Sequence, residues 1–300
     1  MYLLLLIVVL IGSTIYLNYN HKIDYPAAIK GKYERLDSLK NTNKIIIAGG
    51  SSSSYSIDSE QLQKRLNIPV INTSLAMSLG SEFHLNSTKD YLKKGDVVLY
   101  IPEYEFYYGN ESGDDFLYTT AFYYPKIVKD FTPAQKVNGL KKVIRLPVEF
   151  FIGFIKKQFQ KSEGTSLQYN RSSYNFLGDN ISLISIATTK IEKEKKSRYQ
   201  KLKSKKLSKR FLKFLTIFNE ICLKKGVKLI VTFPPIEESQ FDYRFLKDIF
   251  YLQQETGITF IGSPRDYIYD ASLFYDSSYH LNGKGRRLRT LKLIKTLENN

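Results

Sequence analysis

The chain has 300 residues, with 45 Lys and Arg against 29 Asp and Glu, giving a formal net charge of +16. Its 23 Tyr and 19 Phe, within a hydrophobic content of 43%, exclude a disordered chain and supply a core for one domain of about 250 residues. A single cysteine, Cys222, excludes an internal disulfide framework and a cysteine-based zinc site, and three histidines (His21, His84, His280) leave little for a multi-histidine metal centre.

Residues 1–17 carry no charged side chain. As a helix they reach roughly 25 Å, close to the thickness of a bilayer core. Tyr16 and Tyr19 suit a membrane interface. No small-residue cleavage site follows, so residues 1–20 read as an uncleaved, single-pass transmembrane anchor rather than a cleaved signal peptide or a buried helix. Lys22, Lys30, Lys32 and Arg35 follow it, which by charge favours a cytoplasmic domain. Long domains, however, translocate largely regardless of that rule. Residues 21–43 read as a polar tether.

The remainder, 44–300, alternates strand and helix patterns. The run 44–48 ending in Gly49-Gly50 reads as a buried strand, followed by a helix capped by Asp58 with Gln61 in the capping-box position. Residues 68–72 form a second strand, 81–94 a helix, and 96–102 a third strand. Further on, 207–225 is a helix with Phe211, Leu215, Phe218 and Cys222 on one stripe. Strand 227–233 stops at Pro234-Pro235, and helix 241–255, strand 258–261 and helix 284–297 close the chain. This alternation predicts an α/β domain with three layers and a mostly parallel sheet. Residues 104–205 break the pattern and read as a large aromatic and basic insert.

Three segments carry candidate chemistry. Ser51 to Ser54 follow Gly49-Gly50 directly after the first strand, so a serine there sits at the carboxyl end of a parallel sheet, where α/β proteins place their sites. Near the end, Asp276 precedes His280, a pairing in which the carboxylate orients the imidazole and the imidazole deprotonates a serine. The loop from Asn72 to Gly80, after the second strand, can supply an oxyanion donor. The glycine–serine run is not a phosphate loop, because no Lys follows at the required spacing.

With these segments in this order, the chain resembles the SGNH (GDSL-like) hydrolase superfamily. The resemblance is to its membrane-anchored branch associated with acylation of cell-surface polymers, and it covers 44–103 and 206–298. It implies a three-layer α/β/α SGNH-like fold. Ser51 matches the nucleophile of the Gly-x-Ser motif, preferred over Ser52 because of the distance to Ile57-Asp58. Asp276, His280 and Asn282 match the Asp…His-Leu-Asn signature. The amides of Ser51 and Gly80 would form the oxyanion hole, with no metal or organic cofactor. The resemblance further implies an extracytoplasmic domain, an acylated envelope glycan or polymer as substrate, and a multispanning membrane acyltransferase as possible acyl donor. Two positions depart from the family pattern. Asp276 and His280 are separated by three residues instead of two, and the third block (101–105) has Glu103 and Glu105 where the family carries asparagine. Glu103 and Tyr104 are placed as substrate contacts. The departures leave open a non-catalytic polymer-binding or assembly protein of the same fold.

The insert offers Tyr104, Phe106, Tyr107, Tyr108, Phe116, Tyr118, Phe122, Tyr123 and Tyr124, which either pack internally or line a glycan cleft. Residues 146–159 are apolar with a basic end, fitting a buried helix or one lying on a bilayer. A loop from Tyr169 to Asp179 falls near the site. Residues 190–213 hold twelve Lys or Arg against two Glu, a solvated helix or a patch for an anionic surface. With no nucleic-acid motif beside it, and an anchor at the N-terminus, a nucleic-acid partner is not expected. His84 and Cys222 read as packing residues.

Overall fold

The structure, a computed structural model, describes residues 7, 11–15, 23–109, 114–159, 169–186 and 206–299. Most of the anchor expected at 1–20 therefore lies outside the described residues, as do 190–205 of the basic block. No helix among the described residues is long and apolar enough to cross a membrane.

Helix α1 (Ala28–Ser38) leads into β1 (Ile45–Gly49), α2 (Ser51–Ser56), α3 (Ser59–Leu66), β2 (Val70–Asn72), α4 (Ser81–Asn86) and β3 (Val97–Ile101). The insert then contributes α5 (Tyr104–Tyr107), α6 (Asp115–Tyr123) and α7 (Pro133–Phe159). The chain returns through α8 (Lys209–Lys224), β4 (Lys228–Val231), β5 (Ile236–Glu237), α9 (Phe245–Thr256), β6 (Thr259–Phe260), β7 (Ile268–Tyr269) and α10 (Gly283–Glu298).

Five strands form one sheet in the order β2-β1-β3-β4-β6, every pairing parallel. β5 and β7 pair separately, also in parallel. The α/β reading is therefore correct. Its layers follow from the period-two alternation of each strand. Val98, Tyr100, Leu229 and Val231 face Phe211, Leu215 and Phe218 of α8 and Ile249 and Leu252 of α9. Leu99, Ile101, Ile230, Ile45 and Ile47 face Leu62 of α3 and Leu293 and Ile294 of α10. Strands buried on both faces are why the sequence runs are almost wholly apolar.

Two sequence readings are corrected, and a third is narrowed. Residues 28–38 of the expected tether form a packed helix: α1 buries Ala28, Ile29, Tyr33 and Leu36, the first three against the insert and Leu36 against the sheet. The apolar spacing 29, 33, 36 is the helical signal that its charged neighbours obscured. The helix expected over 81–94 stops at Asn86, where Ser87 and Thr88 bond back to the carbonyls of His84 and Leu85. Of the insert aromatics, Tyr104, Phe106 and Tyr107 are fully buried against Phe211 and Phe245, and Tyr118 and Tyr124 join the cluster under α1, so these five take the internal-packing alternative.

The amino edge of the sheet is tied by a fully buried ion pair. Lys44 Nζ donates to Asp96 at 2.7 Å, and the amides of Lys44 and Lys93 donate to the same carboxylate at 3.1 and 2.9 Å. Asp96→Ala strands a buried ammonium and two amides, and is expected to cost about 3–5 kcal/mol in urea denaturation. The double change Lys44→Met with Asp96→Leu removes both charges and should cost much less. Equal losses in the two proteins would refute an electrostatic origin.

Candidate active site

The sheet register sets the site. Gly49 pairs with Ile101, so Ser51 and Glu103 leave adjacent strands two residues beyond the same rung. Because β2 lies on one side of β1 and β3 on the other, the chain reverses its direction of travel between β1 and β3. Open α/β sheets bind ligands at this crevice.

The Gly49-Gly50 pair is required by close approach. A Cβ on Gly49 would lie 2.5 Å from the Ile101 carbonyl oxygen, and one on Gly50 would lie 2.1 Å from Glu103 Oε1. It is thus a carboxylate of the protein, rather than substrate, that occupies the space over Gly50. Ser51 opens α2 and is partly exposed, whereas Ser52, Ser53 and Ser54 are buried. Ser52 Oγ donates to Glu103 Oε1 at 2.9 Å and its amide to the same oxygen at 3.3 Å, so Ser52 is engaged structurally. The Ser51 hydroxyl and amide bond to no described residue.

His280 faces this serine across a cavity of about 170 Å³ lined by Ser51, Met77, Glu103, Glu105, Tyr169, Gln240 and residues 277–280. The three-residue gap between Asp276 and His280 is taken up by a turn, in which the His280 amide donates to the Ser277 carbonyl at 3.3 Å. The carboxylate consequently reaches the ring: His280 Nδ1 and Asp276 Oδ1 are 2.9 Å apart. Tyr169 O–H donates to the other oxygen, Oδ2, at 2.8 Å. Burial pushes the Asp276 carboxyl upward, but the bond and charge of His280 and the Tyr169 hydroxyl outweigh it and hold the group below its usual range. An ionised carboxylate at this distance favours the tautomer with the proton on Nδ1, which leaves the lone pair on Nε2. Tyr55, four residues after Ser51 on α2, stacks on the imidazole with ring centroids 4.3 Å apart.

The third block behaves differently from the sequence expectation. Glu103 is buried, and its Oε2 has no hydrogen-bond partner among the described residues. Burial, opposed by the Ser52 hydroxyl and reinforced by the nearby Glu105 charge, raises its carboxyl to about 7. Glu105 accepts from Tyr279 O–H at 2.8 Å. Tyr104 lies in the core beside Phe241 and Phe245, not in the cavity, so its substrate role is withdrawn. Gly80 is also withdrawn as an oxyanion donor: its amide donates to the Met77 carbonyl at 2.9 Å, and Met77 is the residue of that loop that reaches the cavity.

Behind the serine turn, Asp179 accepts from the Ser59 amide and hydroxyl at 2.8 and 2.6 Å, from Asn72 Nδ2 at 2.9 Å and from Arg286 at 3.1 Å. Asn72 also donates to the Ser53 carbonyl at 3.2 Å, so this buried network pins α2. Asn282 caps α10, accepting from the Gly285 amide at 3.1 Å. His84 is buried, with its ring nitrogen 2.9 Å from the Ala76 carbonyl, and Cys222 is core, as the sequence suggested. Tyr55, Met77 and Gln240 escaped sequence reading. Only Tyr55 left a signal, one helical turn beyond Ser51.

Among the described residues, no group of three or more His, Cys, Asp and Glu side chains is placed to hold a metal ion. No protein-family model matches the chain, and no curated protein sequence matches it significantly.

Proposed function

We propose that this chain is a membrane-anchored, SGNH-like serine esterase or O-acyltransferase acting on short acyl esters of a cell-envelope glycan or polymer. The observation that carries the reading is that Ser51 and His280 line one cavity at the β1/β3 crevice, with Asp276 2.9 Å behind the imidazole. In this scheme Ser51 Oγ attacks the ester carbonyl carbon and passes its proton to His280 Nε2, while Asp276 stabilises the imidazolium. The negative oxygen of the tetrahedral intermediate takes the Ser51 N–H. His280 then returns the proton to the departing sugar oxygen, leaving an acyl-serine. Water or a second sugar hydroxyl releases the acyl group, and the choice between them separates hydrolysis from transfer. A cavity of about 170 Å³ suits an acetyl-sized group. Acyl groups would come from the polymer itself or from a multispanning membrane acyltransferase.

Glu103 supplies the second oxyanion contact in this reading. With a carboxyl raised to about 7, it holds a proton over much of the neutral range, and its unbonded Oε2 is the atom that would donate it. A buried carboxylic acid kept neutral can serve as an oxyanion donor.

The unbonded Ser51 hydroxyl and the engaged Gly80 amide favour a second reading, a non-catalytic polymer-binding protein of the same fold. Labelling of the full chain with a serine-reactive fluorophosphonate separates the two. A mass-spectrometric adduct on Ser51, absent from Ser51→Ala and His280→Ala, supports catalysis. Folded protein that stays unlabelled supports binding only.

A further inference from the structure

Two apolar surfaces in the described residues are not accounted for by the core. In α7, Val137, Leu140, Val148, Ile152 and Ile155 are between 40% and 70% exposed. At 100° per residue they fall within an arc of about 120°. The opposite face of the helix holds Leu146 and Phe150, buried against the insert. The second surface belongs to the N-terminal segment, where Ile7, Ile11 and Ile15, spaced four apart, are also exposed.

The two surfaces are joined. Residues 11–15 are helical, and a Cβ on Gly12 would lie 2.3 Å from the Phe151 ring, so the segment packs directly on α7. Phe151 lies within the arc of the stripe, so the two apolar surfaces adjoin at this contact. Monomeric domains rarely leave such a face bare. Its rim is basic: α7 carries six Lys or Arg against one acid, Glu149; Arg145 and Lys156 flank the stripe on one side, and Lys141 projects from within its arc. Arg145 pairs with Glu149 on this flank, leaving Lys141 and Lys156 facing solvent.

We infer that α7 lies along the surface of an anionic bilayer, its stripe sunk among the acyl chains beside the N-terminal segment. An apolar face bordered by lysine and arginine fits the boundary between head groups and hydrocarbon, and the positive rim adds attraction to acidic lipid. The occupant is set by continuity with an uncharged 1–17 run and by charge. This inference rests on the anchoring reading of that run and is independent of the catalytic one.

The test uses the full chain reconstituted with phosphatidylcholine vesicles, with and without phosphatidylglycerol. Environment-sensitive fluorophores are attached to Val148→Cys, Ile152→Cys and, as an exposed control on α10, Leu291→Cys. Buried Cys222 remains unlabelled. The expected result is a blue-shifted emission at 148 and 152 that brominated acyl chains quench, more strongly with the anionic lipid, and no change at 291. A chain that floats with the vesicles while 148 and 152 stay unquenched overturns the inference alone. A blue shift without quenching puts a second copy of the chain on the face and also overturns it. Failure to float removes the anchoring reading as well.

Discussion

Asp276→Asn is expected to slow phosphonylation of Ser51 by about 10³–10⁴-fold without unfolding the protein. The carboxylate accepts two hydrogen bonds, from His280 Nδ1 and from Tyr169 O–H. An amide in its place offers an N–H to Nδ1, so the imidazole adopts the other tautomer and Nε2 carries a proton when it should accept one. The change also removes the negative charge that stabilises the imidazolium. Tyr169→Phe makes a smaller, graded cut. It removes one hydrogen bond to a charged acceptor, worth about 1.5–3 kcal/mol, and is expected to cost roughly 10- to 100-fold. Second-order labelling rates, with thermal melts on each protein, measure both. If Asp276→Asn labels as fast as the parent, His280 is not acting through Asp276, and the triad assignment is wrong.

The ranking of these two variants separates positioning from packing. Tyr169 is exposed, lines the cavity, bonds Asp276 and packs its ring beside Tyr25 and Tyr55. Were its role only to pack, phenylalanine would be neutral in rate. Under the triad reading, phenylalanine also lets the Asp276 carboxyl rise toward its ordinary value, because one of the bonds that hold it down is gone.

Much of the parallel sheet was legible because its strands are buried on both faces and so read as short, unbroken apolar runs. β1 and β3 were legible to within a residue, and the long α8, whose stripe of Phe211, Leu215, Phe218 and Cys222 repeats every three to four residues, to within two. α1 was missed because Lys30, Lys32, Glu34 and Arg35 dominate its composition, although Lys32 is itself buried, with its ammonium 3.0 Å from the Asn72 carbonyl. The two-residue β5 and β7 are too short for any period to register. In the site, Ser51, Asp276 and His280 were visible from residue type and order. Gly80 was misplaced because sequence gives no indication of which amide of a loop is already bonded. Tyr104 was misplaced because proximity in the chain to the end of β3 does not reveal which way a ring turns, and here it turns into the core. The burial of Glu103, which sets its chemistry, depends on Gly50 and Ser52 from the turn and helix after β1 and has no local signature.

That burial makes Glu103→Gln the most informative single change for both stability and rate. The carboxyl sits at about 7 in the folded protein against an ordinary value of 4.5. Between those pH values the folded state holds a proton that the unfolded chain has released, so stability falls as pH rises through this window and levels off above it. The gap corresponds to roughly 3 kcal/mol at pH 8. Glutamine keeps the shape, accepts from Ser52 through its carbonyl, and carries no charge at any pH. The variant should therefore match the parent near pH 4.5 and exceed it in denaturant stability at pH 8. The groups facing Glu103 are Glu105, whose charge raises it, and His280 and Tyr169 across the cavity, and all three are retained in the variant. Rate should follow the same logic. The parent loses labelling activity above about pH 7 as Glu103 ionises beside the developing oxyanion, whereas the variant, donating through its amide, keeps it. Glu103→Ala, which removes the donor, loses about 10²–10³-fold below pH 7, where the parent's carboxyl is protonated, and the gap narrows above it. Coincident stability–pH curves for parent and Gln variant would show that Glu103 is ionised in the fold at neutral pH. An unchanged alkaline limb in the variant would assign that limb to another group and leave the Ser51 amide as the oxyanion contact of this reading.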